Sequence, residues 1–420
     1  MKISNKKLET RKLENIKGIT LVALVVTIVV LLILAGITIN MLFSDKGIIK
    51  KAQEAENAWK NAEQIDQQGL QNLADQLEQY TNGLNGGGTT FKEITDSSFT
   101  NIQTSTEKAK DVKGNIVTIP KGFKVVTSEG TTVQDGIVIE DKDGNQFVWI
   151  PIGTVTKNDG TKSNNIQLGR YTFSTIDGTP TLEQAAYTEV NPTNYTKEVV
   201  INSLYKELST FREGVASEGL DGLNGTAKGL AGFVSSVKTN GGYYIARYEA
   251  SYSSGTSNSD YLPQFKVSTT NSENSMNYTK GTLWNFITEL DASKVCRNLY
   301  KADSSVGVES DLVNSYAWDT AIIYIQEMGN ANYANKTSPN VILKNTGETG
   351  DKVCNIFDMA GNEAEWTTEY STYKYNTSTS PCVGKGGFYS SDLFCTARSD
   401  MYSSTYIHNV VSFRGTLYIK

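Results

Sequence analysis

The chain carries no charged residue from Ile19 to Phe43, and most of that run is aliphatic. At about 1.5 Å of rise per residue, a helix over it crosses a hydrocarbon core of about 30 Å with its backbone groups bonded internally. The pattern predicts a single membrane helix. Before it stand Lys2, Lys6, Lys7, Arg11, Lys12 and Lys17 against Glu9 and Glu14, so the positive-inside bias keeps the start of the chain cytoplasmic. Everything after Phe43 is then expected outside. A cleaved secretory signal is the alternative, but its apolar core spans about 7 to 15 residues, and Leu34-Ala35-Gly36 is a weak cleavage site.

The period changes after Ser44-Asp45. Ile48, Ala52, Ala55, Trp59, Ala62, Ile65, Leu73, Leu77 and Tyr80 mostly recur at steps of three and four among Lys, Glu, Gln and Asn, which predicts a second, amphipathic helix. Its apolar stripe suits either packing on the chain's own globular part or helix-to-helix packing in a filament. Asn82-Gly83 and Gly86-Gly87-Gly88 end the helix and provide a flexible joint.

Beyond the joint, Gly, Ser, Thr, Asn and Tyr alternate with short β-rich runs, which points to an antiparallel, loop-rich fold. Ile137-Val138-Ile139 and Phe147-Val148-Trp149-Ile150 flank Asp143-Gly144-Asn145, a turn sequence that predicts a hairpin. Apolar spacing predicts helices over Leu283 to Tyr300 and Ala317 to Met328, each covering one side of a sheet. Residues 154–240 are polar and weakly periodic, and read as an insertion on the surface. The fold class expected is α+β, with no repeat of solenoid period.

A net charge of −6, with the basic residues scattered beyond the leader, gives no footprint for nucleic acid. The single histidine, His408, removes most metal-hydrolase and Ser-His-Asp schemes, which need several His ligands or a His base with partners. Cys296, Cys354, Cys382 and Cys395 are compatible with disulfides or with buried free thiols. Gly384-Lys385-Gly386-Gly387 lacks the spacing of a phosphate loop.

The basic leader ending in Gly18, followed by Ile19-Thr20-Leu21-Val22-Ala23-Leu24, resembles the type IV prepilin signal. The resemblance implies cleavage between Gly18 and Ile19, a leader over 1–18, a membrane and stem helix over 19–80, and other pilin subunits as partners. Ala23 stands where pilins carry a Glu, which argues against a role as a major filament subunit.

A second resemblance covers the rest. Phe147-Val148-Trp149-Ile150-Pro151, Gly242 to Ser251, Ser315-Tyr316-Ala317-Trp318-Asp319, Asn355 to Trp366, Gly386-Gly387-Phe388 and Ser412-Phe413-Arg414 together are similar to the formylglycine-generating-enzyme (sulfatase-modifying factor) domain. That domain has a C-type-lectin-like fold. It would occupy 112–420, with the insertion at about 154–240, after a linker over 81–111. The family's catalysts bind copper with two cysteines five residues apart; the second falls on Cys395 and the first on Ser390. A hydroxyl is a poor ligand for Cu(I), so no formylglycine synthesis is expected. A Cys382–Cys395 disulfide is conceivable. The resemblance also implies a calcium ion held through Asn362 and Glu365, the alternative being a Glu365 bonded to its own loop. Trp149, Trp318 and Trp366 are expected in the core.

Near the C-terminus, Tyr389, Ser390, Ser391 and Asp392, then Tyr402, Ser403, Tyr406, His408 and Asn409, concentrate the residue types that antibody paratopes use. Their placement is similar to the variable region of retroelement-diversified C-type-lectin-like proteins. Ordinary polar loops are the competing reading. The function expected is a non-catalytic, adhesin-like protein at the cell membrane or in a pilus, its head outside, binding a protein or glycan on a cell or phage surface. The alternatives are a structural pseudopilin without a ligand and an oxidase of the formylglycine-generating type.

Overall fold

The computed structural model describes residues 91–185, 205–207, 229–253, 262–271, 279–301, 303–371, 382–402 and 406–420. Gly18, Ile19, the membrane helix, the stem and Ser403 lie outside them. Among the described residues no helix is long and apolar enough to cross a membrane.

Six strands form the larger sheet, all antiparallel. They are β3 (Phe123–Val125), β4 (Val138–Asp141), β5 (Gln146–Pro151), β9 (Gly242–Ala246), β12 (Val308–Leu312) and β19 (Gly415–Ile419), in the order β12-β19-β9-β5-β4-β3. The β4–β5 hairpin forms as its turn sequence predicts, with Ile139 opposite Phe147. Asp141 makes the turn: its Oδ1 accepts from the backbone N–H of Asp143 and of Asn145, each at 2.8 Å, while Gly144 takes φ 84°. The Tyr300 hydroxyl donates to Asp141 Oδ2 at 2.7 Å, tying the turn to the end of a helix. Between β5 and β9 the chains approach so closely that a Cβ on Gly242 would stand 2.5 Å from the Ile150 carbonyl oxygen.

A second sheet has β15 (Ala364–Ser371) at its centre. It pairs antiparallel with β16 (Cys382–Lys385) and with β8 (Tyr205–Glu207), and parallel with β18 (Val411–Phe413); β17 (Arg398–Tyr402) pairs with β16. Short ladders join β1 (Glu107–Lys110) to β2 (Ile116–Ile119), β6 (Gly169–Phe173) to β7 (Pro180–Ala185), β10 (Ser251–Tyr252) to β11 (Pro263–Gln264) and β13 (Lys352–Val353) to β14 (Ile356–Phe357). Among the described residues the α-helices are α1 (Gly229–Asn240), α2 (Glu289–Asn298) and α3 (Ser315–Glu327).

The helices differ from the sequence expectation in instructive ways. Helix α2 starts at Glu289 and not at Leu283, because Thr288 caps it by accepting from the Asp291 N–H and Phe286 takes the left-handed φ of 48°. Helix α3 begins where Asn314 accepts from the Ala317 N–H at 2.8 Å, and it is buried from Ser315 through Ile325 rather than along one face. Its outer side is covered from within 154–240: the Tyr171 N–H donates to Asp319 Oδ2 at 2.9 Å and the Gly169 N–H to Thr320 Oγ1 at 3.2 Å. That stretch is therefore part of the core where it is described. Ile166, Leu168, Phe233 and Val237 are all buried. The globular part also begins before Val112: Ile94, Phe99 and Ala109, placed in the linker by the sequence, are fully buried. Trp149, Trp318 and Trp366 sit in the core as expected.

Buried charges pair across these layers. Asp319 on α3 accepts from Lys385 Nζ at 2.8 Å and from Arg398, whose Nε donates to Glu369 Oε1 at 2.8 Å. Lys385, Asp319 and Glu369 are all fully buried, so this network locks α3 to β15, β16 and β17.

A candidate ligand-binding face

The loop from Gly386 to Leu393 leaves β16 in a fixed shape. Gly386 takes φ 76°, and the Ser391 hydroxyl accepts from the Leu393 N–H at 3.1 Å and from the Phe388 N–H at 3.4 Å, closing the turn on itself. Two backbone bonds then seat it: Tyr389 N–H on the Asn362 carbonyl at 2.8 Å and Ser390 N–H on the Asn340 carbonyl at 2.9 Å. Ser390 is held left-handed, at φ 63°, and exposed together with Asp392.

Tyr389 joins three segments. Its ring is buried with Leu283 and Leu343, and its hydroxyl accepts from Asn409 Nδ2 at 3.2 Å. Asn409 is in turn held from below, where Asn285 Nδ2 donates to the Asn409 carbonyl at 3.3 Å and to Glu363 Oε1 at 3.0 Å. Beside it Tyr406 stacks on His408, with ring centroids 5.7 Å apart and planes within 4°, and meets Trp366 edge-on at 6.4 Å. The structure thus gathers Tyr389, Ser390, Ser391, Asp392 and Asn409 around one loop, with Tyr406 and His408 on the adjoining segment. Tyr402 ends the edge strand β17, where its backbone pairs with Cys382.

Sequence patterning missed Val341 and Ile342. They lie between Asn340, which holds Ser390, and Leu343, which packs on Tyr389, and they are 79% and 52% exposed. An aliphatic pair in a polar stretch reads as core.

Beneath the face, the Gly361-to-Trp366 block organises buried carboxylates. Glu365 does not turn back to its own loop: Arg414 Nε donates to its Oε2 at 2.6 Å and Arg414 Nη2 to its Oε1. The Asn355-to-Trp366 and Ser412-to-Arg414 motifs of the second resemblance therefore meet as one ion pair. Asn362 accepts the Lys344 N–H at 3.0 Å and donates to Glu249 Oε2 at 2.6 Å. Both side chains expected to hold calcium are spent on protein partners, with Arg414 supplying the positive charge at Glu365. Among the described residues no group of three His, Cys, Asp or Glu is placed to hold a metal ion. Burial pushes the carboxyls of Glu249, Glu363 and Glu365 above the ordinary range and that of Asp358 to about 6.

The four cysteines are free thiols, so the Cys382–Cys395 bridge is not formed. Cys395 is fully buried and donates to the Tyr333 carbonyl at 3.0 Å, whereas Ser390 is exposed. Burial raises the Cys395 thiol, and pushes that of Cys354 up to about 12, which keeps both protonated and poorly nucleophilic.

Fold and face together define a class: a β-rich head with few helices, whose closed core of paired charges fixes loops rich in Tyr, Ser and Asn at its surface. Comparison of the chain with protein-family models, with curated proteins and with solved structures found no match.

Proposed function

We propose that this chain is a non-catalytic binding protein displayed at the cell surface, with a pilin-like N-terminus anchoring it in the membrane or a pilus. Its head takes a protein or glycan ligand through the face around Tyr389. The observation that carries this reading is the way the loop 386–393 is fixed: hydrogen bonds to Asn340, Asn362 and Asn409 hold its backbone and Tyr389, while Ser390 and Asp392 stay exposed. A surface ordered before binding loses little entropy when it binds. The reactive groups point the same way, since the one cysteine at a catalytic position of the family is buried and protonated and its partner position is a serine.

Binding of the full chain to whole cells and to phage particles tests the proposal. Tyr389→Ala and Tyr406→Ala are expected to lower binding at least tenfold with the fold intact by circular dichroism. Binding that survives both substitutions excludes this face. A chain that assembles with pilin subunits but shows no ligand is the pseudopilin outcome, and a formylglycine product on a cysteine-containing sulfatase peptide overturns the non-catalytic reading.

A further inference from the structure

We infer that Lys385 and Asp319 condense into an intramolecular amide, a covalent brace between helix α3 and strand β16. Lys385 Nζ stands 2.8 Å from Asp319 Oδ1, and neither side chain is reached by solvent. Among the described residues Lys385 is the one lysine that is buried. Other buried ion pairs, such as Arg297 with Asp311 and Arg414 with Glu365, carry a guanidinium, which does not give up its proton to become a nucleophile. Lys336 lies 2.6 Å from Asp351, but its side chain is 36% exposed and its amine stays hydrated. The Lys385–Asp319 pair thus joins a nucleophile to a carboxyl group in a dry site.

The two oxygens of Asp319 are placed differently. Oδ1 faces the amine, whereas Oδ2 accepts from the Tyr171 N–H at 2.9 Å and from Arg398 Nη2. Attack of Nζ on Cγ moves negative charge onto one oxygen, and these two donors already point at Oδ2. Oδ1 is then the leaving oxygen. The atoms balance without another reactant: the Nζ–Cγ bond forms and the Cγ–Oδ1 bond breaks. Of the three ammonium protons, two depart with Oδ1 as water and one stays on the amide. Burial first, and then the Arg398 guanidinium, loosen the hold of Lys385 on its proton, which favours the free amine that attack needs. Groups held in contact react as if at effective concentrations of about 10⁵–10⁸ M, and exclusion of water protects the amide once formed. The brace ties the helix to the second sheet in a chain whose four cysteines are free thiols.

Mass spectrometry of the full chain, reduced and unfolded in denaturant, tests the inference. The native chain is expected about 18 Da below the mass of its sequence from its own N-terminus, through loss of one water. Its tryptic digest should hold Asp319 and Lys385 in one branched peptide, uncut after Lys385. Lys385→Arg keeps the positive charge and removes the nucleophile, so this variant should show its full sequence mass and a lower melting temperature. A native chain at its full sequence mass, with residues 319 and 385 in separate peptides, overturns the inference and leaves an ion pair only. A branch from Lys385 to Glu369 overturns the pairing with Asp319. The native chain gives both readouts by itself, so the test does not depend on the variant folding.

Discussion

Arg414 and Glu365 are fully buried and paired with each other, so each faces an opposite charge inside the core. Arg414→Met leaves Glu365 uncompensated and is expected to destabilise the head by about 3–5 kcal/mol in urea unfolding. Replacing both by apolar residues of similar volume is expected to cost less than the single change. Asp358 carries a pH signature. Its carboxyl accepts from Thr346, Gly347 and Thr349, but burial dominates and raises it from 3.8 to about 6. The folded state therefore holds this proton more tightly than the unfolded chain. Its contribution is complete below pH 3.8 and is lost as pH rises through about 6, amounting to about 3 kcal/mol. The stability difference between the native chain and Asp358→Asn should change across that window and be flat above it. No residue pattern announced this group, because burial of a carboxyl is set by what folds over it.

Elements obey their local signals where those signals are complete. The β4–β5 hairpin was readable because Asp141, Gly144 and Asn145 close the turn within a few residues. Helix α3 was readable in extent, its start fixed by the Asn314 cap, and Asn314→Ala should cost about 1 kcal/mol in thermal unfolding. Its burial on all sides was not readable, since β6 comes from a stretch with no clear period. Gly361 is a second such case. It takes φ 112°, and an added Cβ would lie 2.4 Å from Ser338 Cβ, so Gly361→Ala combines backbone strain of about 1–3 kcal/mol with an overlap that must move Ser338. A melting temperature within a degree or two of the native value would contradict that account.

At the scale of the whole chain, the proposed anchor and the proposed head are separable by experiment. Gly18→Leu is expected to block removal of residues 1–18, so that intact-mass measurement finds the leader retained; the native chain should begin at Ile19. Unchanged processing would count against the prepilin reading and leave an ordinary membrane anchor. Ligand binding by the head is expected to be the same in both forms, because the residues that build the face lie between Leu283 and Asn409, far along the chain from the leader.

The uncharged run, the hairpin turn, the approximate extent of helix α3 and the tryptophan positions follow from sequence alone, because period, turn chemistry and residue size act over a few neighbouring residues. Tertiary structure decided the rest. Glu365 meets Arg414 and Asn409 meets Tyr389 across 49 and 20 residues. Val341 and Ile342 stay at the surface for the same reason: burial and partnership depend on which distant segments arrive, and no local pattern specifies that.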